Sequence, residues 1–273
     1  MRDFTALLSD VVGQPITAMR VLQGGDLSEL RELTLADGSR VVAKIGDNVL
    51  VEAQMLRALA DAGVPAPRVL QTRPLLIILE HLPETRPAPA SWPLLGQVVR
   101  DLHRAPVPPG APWGWPADYA FGSVLIPGTI HGVADWPEYW ARARLLQGLE
   151  AVPIVLARRL EALAMRLPDL LPAAPRPALL HGDLWAGNLL FGPGGGVHLI
   201  DPACSIGHAE VDLAMLHLFG RPGEGFSESY GALEPGWDAR RPIYQLWPAL
   251  VHLRLFGDGY LSLVESLLES LPA

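Results

Sequence analysis

One stretch of the chain restricts its fold more than any other, because two short apolar segments frame a loop rich in oxygen-bearing side chains. Residues 178–180 read as a strand that leads into a His-Gly-Asp sequence, whose acid is Asp183. Asn188 follows five positions later, and after a glycine-rich turn the second strand, residues 197–200, ends at Asp201. The alternative interpretation is a loop that contains Asp and Asn but catalyses no reaction. If the chain had only this Asp and Asn at this spacing, without the flanking features, that interpretation would be favoured. The flanking strands and the acid that ends the second one favour a catalytic site.

The three polar residues are those that phosphoryl transfer from a nucleotide requires. Such reactions need positioning and charge neutralisation more than covalent help. One carboxylate orients the attacking hydroxyl and accepts its proton, while amide and carboxylate oxygens hold Mg²⁺ against the phosphates. The spacing of Asp183 and Asn188 equals that of the protein-kinase catalytic loop. We therefore predict that Asp183 is the catalytic base and that Asn188 and Asp201 bind the metal.

The use of basic residues points to a fourth functional position. Of the 21 basic residues, all but Lys44 are arginine, and Asn188 is one of only two asparagines. A compact ammonium on a flexible stem suits a point contact between two phosphates, and arginine is not equivalent there. We predict that Lys44 binds phosphate and that Glu52, in the first turns of the following helix, holds it by an ion pair. A surface glutamate favoured near a helix N-terminus is the alternative interpretation of Glu52.

The first 82 residues read as a small antiparallel sheet with a helix. Apolar periodicity predicts helices over residues 1–14 and 49–62 and strands over residues 16–22, 30–35, 40–45, 68–71 and 75–80. Gly24 and Gly25 separate the first two strands, and such a turn can bring backbone N–H groups close to phosphates. An ordinary hairpin turn is the alternative. Glu80, His81 and Leu82 lead out of this unit, at the crossing where a two-lobed kinase offers main-chain groups to adenine.

Residues 83–273 read as a larger and mainly helical unit. After a Pro-rich linker, helices are predicted over residues 91–103, from 135 onward behind a capping-box pattern, over 153–167, over 213–219 and over most of 240–270. Residues 106–133 form a long Pro/Gly/Trp loop, of a kind that often makes a lid or a substrate wall. Glu210 and Asp212 precede a helix, where they can cap it, brace the backbone of the catalytic loop, or do both.

Composition excludes several classes of protein. The 273 residues can bury a sizeable core, as one large domain or two lobes. A net charge of −8 without a basic cluster argues against nucleic-acid binding. No apolar run approaches the ~20 residues of a membrane span, and no signal-peptide core follows the N-terminus. A single cysteine, Cys204, excludes an internal disulfide. A soluble, cytoplasmic protein, with a monomer favoured, is the expectation.

Together these motifs resemble the fructosamine (ketosamine) kinases, within the aminoglycoside/choline phosphotransferase-like branch of the protein-kinase-like fold. Trp185, next to the Leu of the catalytic stretch, is similar to that family, where aminoglycoside relatives often have His. Further resemblance spans nearly the whole chain and includes His181-Gly182-Asp183-Leu184-Trp185-Ala186-Gly187-Asn188, Asp201-Pro202-Ala203, Gly207-His208 with Glu210 and Asp212, Phe219-Gly220, His252, Phe256-Gly257 and Tyr260. The chain departs from the family at Tyr119, Ala120, Leu125 and Ile126, where an Asn and a Gln are usual, and at Pro248 and Val251.

The resemblance implies an α+β, two-lobed fold, with an N-lobe over residues 1–82 and a C-lobe over residues 83–273. It implies ATP- and Mg²⁺-dependent phosphorylation of the third sugar hydroxyl of a ketosamine, free or on a protein, after which the adduct leaves spontaneously. Carried over residue by residue, Asp183 is the base and Asn188 and Asp201 are metal ligands. Lys44 with Glu52 holds the α- and β-phosphates, and residues 80–82 take adenine.

The acceptor is the least constrained part of this interpretation. Trp185, Trp136 and Trp140 favour stacking on a sugar ring, and we predict that they line the substrate site. A kinase acting on an aminoglycoside, a choline-like amine or a free sugar is the alternative within the same class. A nucleotide-binding pseudokinase is the alternative from another class, although Lys44, Asp183 and their partners argue against it.

Overall fold

The computed structural model describes residues 2–22 and 28–271, and it has the two-lobed α+β fold that the sequence predicts. The N-terminal lobe is a five-stranded antiparallel sheet with strand order β1-β2-β3-β5-β4. Its elements are α1 (Arg2–Val12), β1 (Ile16–Val21), β2 (Glu29–Leu35), β3 (Arg40–Ile45), α2 (Val49–Asp61), β4 (Val69–Arg73) and β5 (Leu76–Glu80). The strands therefore end two residues before the predicted lobe boundary at 82/83, and the boundary itself stays a prediction.

Alternation of side chains gives this sheet two apolar faces. One face packs on α1, whose Leu8 is fully buried against Leu33 and Ala43. The other packs on α2 through a second cluster that includes Ala53 and Ile77. Because side chains alternate along a strand, Lys44 lies on the face opposite Ala43, which is the α2 face. The position of the lone lysine thus follows from the register of β3.

The C-terminal lobe is mainly helical, as predicted, and adds three short strand pairs. Its elements are α3 (Ser91–Arg104), β6 (Tyr119–Phe121), β7 (Val124–Ile126), α4 (Trp136–Trp140), a π-helical turn (Ala141–Leu145), α5 (Ile154–Leu170), β8 (Pro177–Leu180), β9 (Leu189–Phe191), β10 (Val197–Leu199), β11 (Ser205–His208), α6 (Glu210–Leu216), α7 (Phe226–Tyr230), α8 (Trp237–Phe256) and α9 (Leu261–Glu269). Helix α6 begins at Glu210, three residues before its predicted start. Within the described residues, no helix is long and apolar enough to cross a membrane.

Two antiparallel strand pairs frame the polar stretch that contains Asp183, Asn188 and Asp201. β8 pairs with β11, so that Leu180 lies opposite Ser205, and β9 pairs with β10, so that Phe191 lies opposite Val197. The residues between β8 and β9 form the catalytic-type loop, and the residues between β10 and β11 include Asp201. Both segments are therefore fixed at each end by strand pairing, which holds their side chains at one place between the lobes.

The long loop over residues 106–133 contains an unpredicted hairpin. β6 and β7 pair so that Tyr119 lies opposite Ile126 and Phe121 opposite Val124. Val124 and Ile126 are buried in the core of the C-terminal lobe, whereas Leu125 is 52% exposed. One face of the hairpin therefore anchors it to the lobe, while the β6 strand faces the cleft.

Candidate active site

The lone lysine lies at the centre of an ion-pair cluster that joins the two lobes. Lys44 Nζ is 2.7 Å from Glu52 Oε2 in α2 and 2.8 Å from Asp201 Oδ1 in the C-terminal lobe. The side chains of Lys44 and Glu52 are only 6% and 2% exposed. Burial lowers the pKa of Lys44, but the carboxylates of Glu52 and Asp201 outweigh burial and raise it overall. The ammonium therefore stays charged, and the predicted pairing with Glu52 is present.

The short connection between β3 and α2 still brings Glu52 to the lysine. Helix α2 begins at Val49, so Glu52 lies within its first turn and points back to the end of β3. Asn48 at the helix N-terminus makes no side-chain cap, and its Nδ2 instead donates to the carbonyl oxygen of Ala120 at 3.3 Å. This hydrogen bond joins the N-terminal lobe to the β6–β7 hairpin across the cleft.

Asp183 and Asn188 are held together as one unit by a pair of hydrogen bonds. Asn188 Nδ2 donates to the carbonyl oxygen and to Oδ2 of Asp183, both at 2.8 Å. This orients the amide so that its nitrogen faces the carboxylate and its oxygen is available to a cation. Burial raises the pKa of Asp183 to about 7, against the lowering effect of the Asn188 hydrogen bond. The nearby carboxylate of Asp201 raises it further.

Asp201 has a backbone conformation that only a few residue types adopt readily. Its φ is +53°, and such values are uncommon outside glycine, although Asp tolerates them better than most residues. The conformation is fixed on its N-terminal side, because the N–H of Ile200 donates to the carbonyl oxygen of Asn188 at 3.1 Å. The Asp201 side chain, 34% exposed, is thereby directed to Lys44 and the cleft. Strain of this kind is typical of functional positions.

The donor set of Asn188 and Asp201 fits a magnesium ion. One amide oxygen and one carboxylate are hard oxygen ligands, and Mg²⁺ is usually bound by one or two protein carboxylates together with substrate phosphates and water. The amide nitrogen of Asn188 is already used by Asp183, which leaves its oxygen as the metal-facing atom. Lys44 Nζ donates to Oδ1 of Asp201, which leaves Oδ2 available to a metal.

Asp212 holds the backbone of the catalytic loop. It is fully buried, and its Oδ2 accepts from the N–H of His181 at 2.7 Å while its Oδ1 accepts from the N–H of Gly182 at 2.8 Å. His103 of α3 donates from Nε2 to the same Oδ2 at 3.0 Å. The bracing role is therefore present at Asp212. Glu210 instead pairs with Arg240 Nε at 2.8 Å, away from the loop.

Two glycines in the motif are required by close contacts. Gly182 has a φ of +82°, and a Cβ there would lie 1.9 Å from the carbonyl oxygen of Ala203. A Cβ on Gly187 would lie 2.4 Å from the ring of Trp185, which packs against this glycine. The first glycine lets the loop turn beside the next strand, and the second lets the indole fold over the loop.

A cavity of about 230 Å³ opens between the lobes at these residues. Trp185 lines it and is 37% exposed, as a substrate-contacting indole would be. Trp136 and Trp140 do not line it, and each is only 1% exposed, so the expectation that they stack on substrate is wrong. They pack on one another and on Tyr244 in the core, since α4 is enclosed by α5 and α8. The cavity's other lining residues include Tyr119, Ala120, Phe121, Met215, Tyr244, Trp247, Val251, His252 and Phe256.

The remaining predicted nucleotide-binding residues lie outside this cavity or outside the described chain. Glu80 is the last paired residue of β5, opposite Val41, and His81 and Leu82 follow it. None of the three is among the described residues that line the cavity. The Glu80 carboxylate pairs with Arg68 Nε at 3.0 Å, and His81 Nε2 lies 3.0 Å from Glu32 Oε2. A contact of residues 80–82 with adenine stays a prediction. Gly24 and Gly25 lie outside the described residues.

Some cleft residues were not found from the sequence. The β6–β7 hairpin contributes Tyr119 and Phe121. The length of the loop and the departure from the family at Tyr119 drew attention to this segment, but no signal in the sequence indicated Phe121. Asn48 was a weak signal, as one of two asparagines in the chain, and its contact with Ala120 gives it a structural role. Trp247 comes from an apolar helix that gives no indication of which residues face the cleft.

Comparisons with known proteins agree with this geometry. The model of the fructosamine kinase family matches residues 1–273. The probable ketoamine kinase of Synechocystis is 32% identical over 96% of this chain and 93% of its own length. That of Thermus thermophilus is 34% identical over 88% of each chain. Among solved structures, a candidate fructosamine-3-kinase from Thermobifida fusca superposes with a TM-score of 0.88 at 29% identity, covering 98% of both chains.

Proposed function

The chain belongs to the fructosamine kinase family, and we propose that it transfers the γ-phosphoryl group of ATP to a sugar hydroxyl of a ketosamine, with Mg²⁺ as the metal. The observation that carries the proposal is the convergence of Lys44, Glu52, Asp183, Asn188 and Asp201 on one cavity between the lobes. These five residues come from both lobes and from positions as far apart as 44 and 201. Each has the chemistry that one part of the reaction needs.

In this proposal Asp183 orients and deprotonates the attacking hydroxyl. Its carboxylate is fixed by Asn188 at 2.8 Å and lines the cavity, so an acceptor hydroxyl can approach it. The loose transition state of phosphoryl transfer leaves the proton on the hydroxyl until late. The main task of Asp183 is therefore positioning, and its proton affinity matters less.

On the phosphate side, Lys44 would contact the α- and β-phosphates, and Glu52 keeps its ammonium in place at 2.7 Å. Asn188 Oδ1 and Asp201 would hold Mg²⁺, which neutralises the charge of the phosphates and of the transferred group. The two clusters are already joined, because Lys44 also bonds Asp201. Binding of nucleotide and positioning of the base would thus occur in one connected unit.

The acceptor side of the cavity supports an amine-bearing sugar. Aromatic side chains of Trp185, Trp247 and Phe256 line it, and Asp47 and Asp183 add carboxylates. Aromatic faces pack on sugar rings and attract a cation, and carboxylates favour the secondary ammonium that a ketosamine carries.

The relatives' names supply the finer parts of the proposal. The Thermobifida fusca neighbour is described as a fructosamine-3-kinase, which supports the third sugar hydroxyl as the acceptor. A phosphate at that position would let the adduct eliminate from the amine. We therefore propose that the enzyme contributes to the removal of sugar adducts from amines, including those on proteins.

The test is ATP consumption with Mg²⁺ across ribulosamine, fructosamine, aminoglycoside, choline and plain sugars, with the product's phosphate position assigned by NMR. Turnover on a ketosamine with phosphate on the third hydroxyl is expected. Turnover only on another acceptor would contradict the ketosamine assignment while keeping the kinase chemistry. Binding of ATP without turnover of any acceptor would contradict the enzyme assignment and favour a pseudokinase.

Asp183→Asn provides the matched check of the base. The variant keeps the shape and the hydrogen bond from Asn188, so ATP binding measured by calorimetry should change little. Turnover should fall by about 10²–10⁴-fold, the usual contribution of a positioned base. Asp238→Asn, at a residue whose side chain is 90% exposed, serves as the control and should behave as wild type. An Asp183→Asn enzyme with wild-type turnover would refute the role of Asp183.

A further inference from the structure

The C-terminal lobe contains a buried cation that no carboxylate of a described residue balances. Arg144 lies in the π-helical turn after α4 and is only 7% exposed. Within residues 2–22 and 28–271, no acidic side chain forms an ion pair with it. Buried charges in proteins are normally paired, because an isolated charge in a medium of low polarity is costly. Arg144 therefore has no anionic partner in the part of the chain that the structure describes.

The contacts that Arg144 does make use only part of its guanidinium. Nη1 donates to the carbonyl oxygens of Pro127 and Ala143, at 3.0 and 2.9 Å. The guanidinium carbon lies 5.4 Å from the ring centres of both Tyr139 and Trp247. Aromatic faces attract the charge but accept no conventional hydrogen bond from it. Guanidinium has five N–H donors, and a further hydrogen bond joins it to the side chain of Tyr139.

A small cavity lies against this side chain. Its volume is about 20 Å³, enough for one particle of about the size of water. Trp140 lines it, and its buried indole Nε1 has no hydrogen-bond partner. Ser205 also lines it and is 8% exposed, with no hydrogen bond from its hydroxyl among the described residues. The remaining lining side chains are apolar or aromatic, and none is acidic.

We propose that this cavity is a binding site for one monovalent anion of halide size, chloride under physiological conditions. A positive guanidinium, an indole N–H and a hydroxyl are all hydrogen-bond donors, and together they suit an acceptor with negative charge. Buried polar groups are nearly always satisfied, and here the indole N–H of Trp140 has no partner, while the charge of Arg144 has no counter-ion among the described residues. A volume of about 20 Å³ excludes phosphate and a carboxylate-bearing substrate.

The site would support the floor of the larger cavity. Phe121, Gly182, Val211 and Trp247 line both cavities, so a single layer of residues separates the anion from the acceptor side. An anion that neutralises Arg144 would fix the orientation of Trp247, whose ring the guanidinium faces. This inference does not rest on the identity of the acceptor, because the donors belong to the folded chain alone.

Bromide provides a direct probe of the site. Crystals of the protein grown or soaked in sodium bromide should show an anomalous peak within hydrogen-bond distance of the Arg144 guanidinium. A well-ordered water there, with no anomalous peak at high bromide concentration, would overturn the proposal.

Thermal unfolding gives the solution test. A ligand that binds only the native state raises its stability with concentration. The melting temperature of the wild type should therefore rise with chloride when gluconate keeps the ionic strength constant. Arg144→Gln should remove this chloride dependence. Arg142→Gln is the matched control, because Arg142 lies in the same turn but is 45% exposed and pairs with Glu138. A chloride dependence that Arg144→Gln leaves unchanged would overturn the proposal.

A second variant keeps the test decisive if Arg144→Gln does not fold. Ser205→Ala removes one donor without adding volume, and a hydrogen bond to a charged group is worth enough for about a tenfold change in affinity. The chloride concentration at half-maximal stabilisation should therefore rise at least about tenfold. An unchanged midpoint would show that chloride acts elsewhere on the protein and would contradict the site.

Discussion

Asp212→Asn should separate the structural support of the catalytic loop from its chemistry. The two carboxylate oxygens accept three hydrogen bonds, from the N–H groups of His181 and Gly182 and from His103 Nε2. An asparagine offers one oxygen in place of two, so at least one backbone N–H then faces an amide donor. Losing a hydrogen bond to a charged acceptor and leaving a buried donor unpaired should together cost about 2–5 kcal/mol. That is a large part of the total stability of an ordinary domain.

The kinetic consequence should be larger than the loss of stability suggests. The two N–H groups belong to the residues directly before Asp183, so their release allows the Asp183 carboxylate, which we propose as the base, to shift. A displacement of about 1 Å can lower the rate about 10²-fold. We expect a lower unfolding free energy in urea with an unchanged m-value, and a lower kcat with ATP binding retained.

Two controls make the result interpretable. Asp238→Asn repeats the substitution at an exposed side chain and should change neither quantity. His103→Gln removes only the ring that donates to Asp212 and leaves both backbone bonds, so its effect on kcat should be the smaller one. An Asp212→Asn protein that loses less than about 1 kcal/mol and keeps its kcat would refute the bracing argument.

Three further outcomes follow from buried groups. Glu52→Gln should raise the KM for ATP about tenfold or more in steady-state assays, because Lys44 then keeps only one carboxylate partner; an unchanged KM would contradict the pairing role. Burial lowers the pKa of His208 to about 3, whereas unfolded histidine titrates near 6.5. Below pH ~6.5 the native state therefore binds fewer protons than the unfolded state. Its unfolding free energy should fall as the pH is lowered through this range, by up to about 1.4 kcal/mol per pH unit. His208→Gln should reduce the difference between the unfolding free energies measured in urea at pH 5 and at pH 7. An unchanged difference would refute the assignment of this pH dependence to His208. Trp136→Ala should cost about 3–5 kcal/mol in urea unfolding, while Trp185→Ala should mainly raise the acceptor KM; the reverse pattern would restore Trp136 to the substrate site.

The residues of the candidate site were predictable because the proposed chemistry leaves few choices of residue type. Lys44 stood out as the only lysine of the chain, and Asp183, Asn188 and Asp201 occur at spacings set by short strands and tight turns. Such constraints act between residues that are close in the sequence, so they can be recognised from one sequence alone. The paired strands around the loop are the structural counterpart of that pattern.

The tryptophans show where local patterns fail. The capping box at Asp135 correctly predicts the start of α4, since Asp135 Oδ1 accepts from the N–H of Glu138 at 2.9 Å. It contains no information about which elements surround the helix. Trp136 and Trp140 are enclosed on all sides because α5 and α8 pack over them, and those contacts come from residues more than ten positions away. The residue type alone therefore did not distinguish the buried Trp136 and Trp140 from Trp185, which lines the cavity.

Glu210 and Asp212 show what a sequence can settle and what it cannot. Both are acidic and lie in the first turn of α6, so capping and bracing were open for each. Residues two apart on a helix point about 200° apart around its axis, so the two carboxylates could not serve one partner. That much follows from the sequence, once the helix is placed. Which of the two carboxylates contacts the loop between β8 and β9 depends on how α6 packs against β8 and α3. In the structure Asp212 accepts from the backbone directly before Asp183, whereas Glu210 pairs with the guanidinium of Arg240, so the direct effect on the position of Asp183 is expected from Asp212.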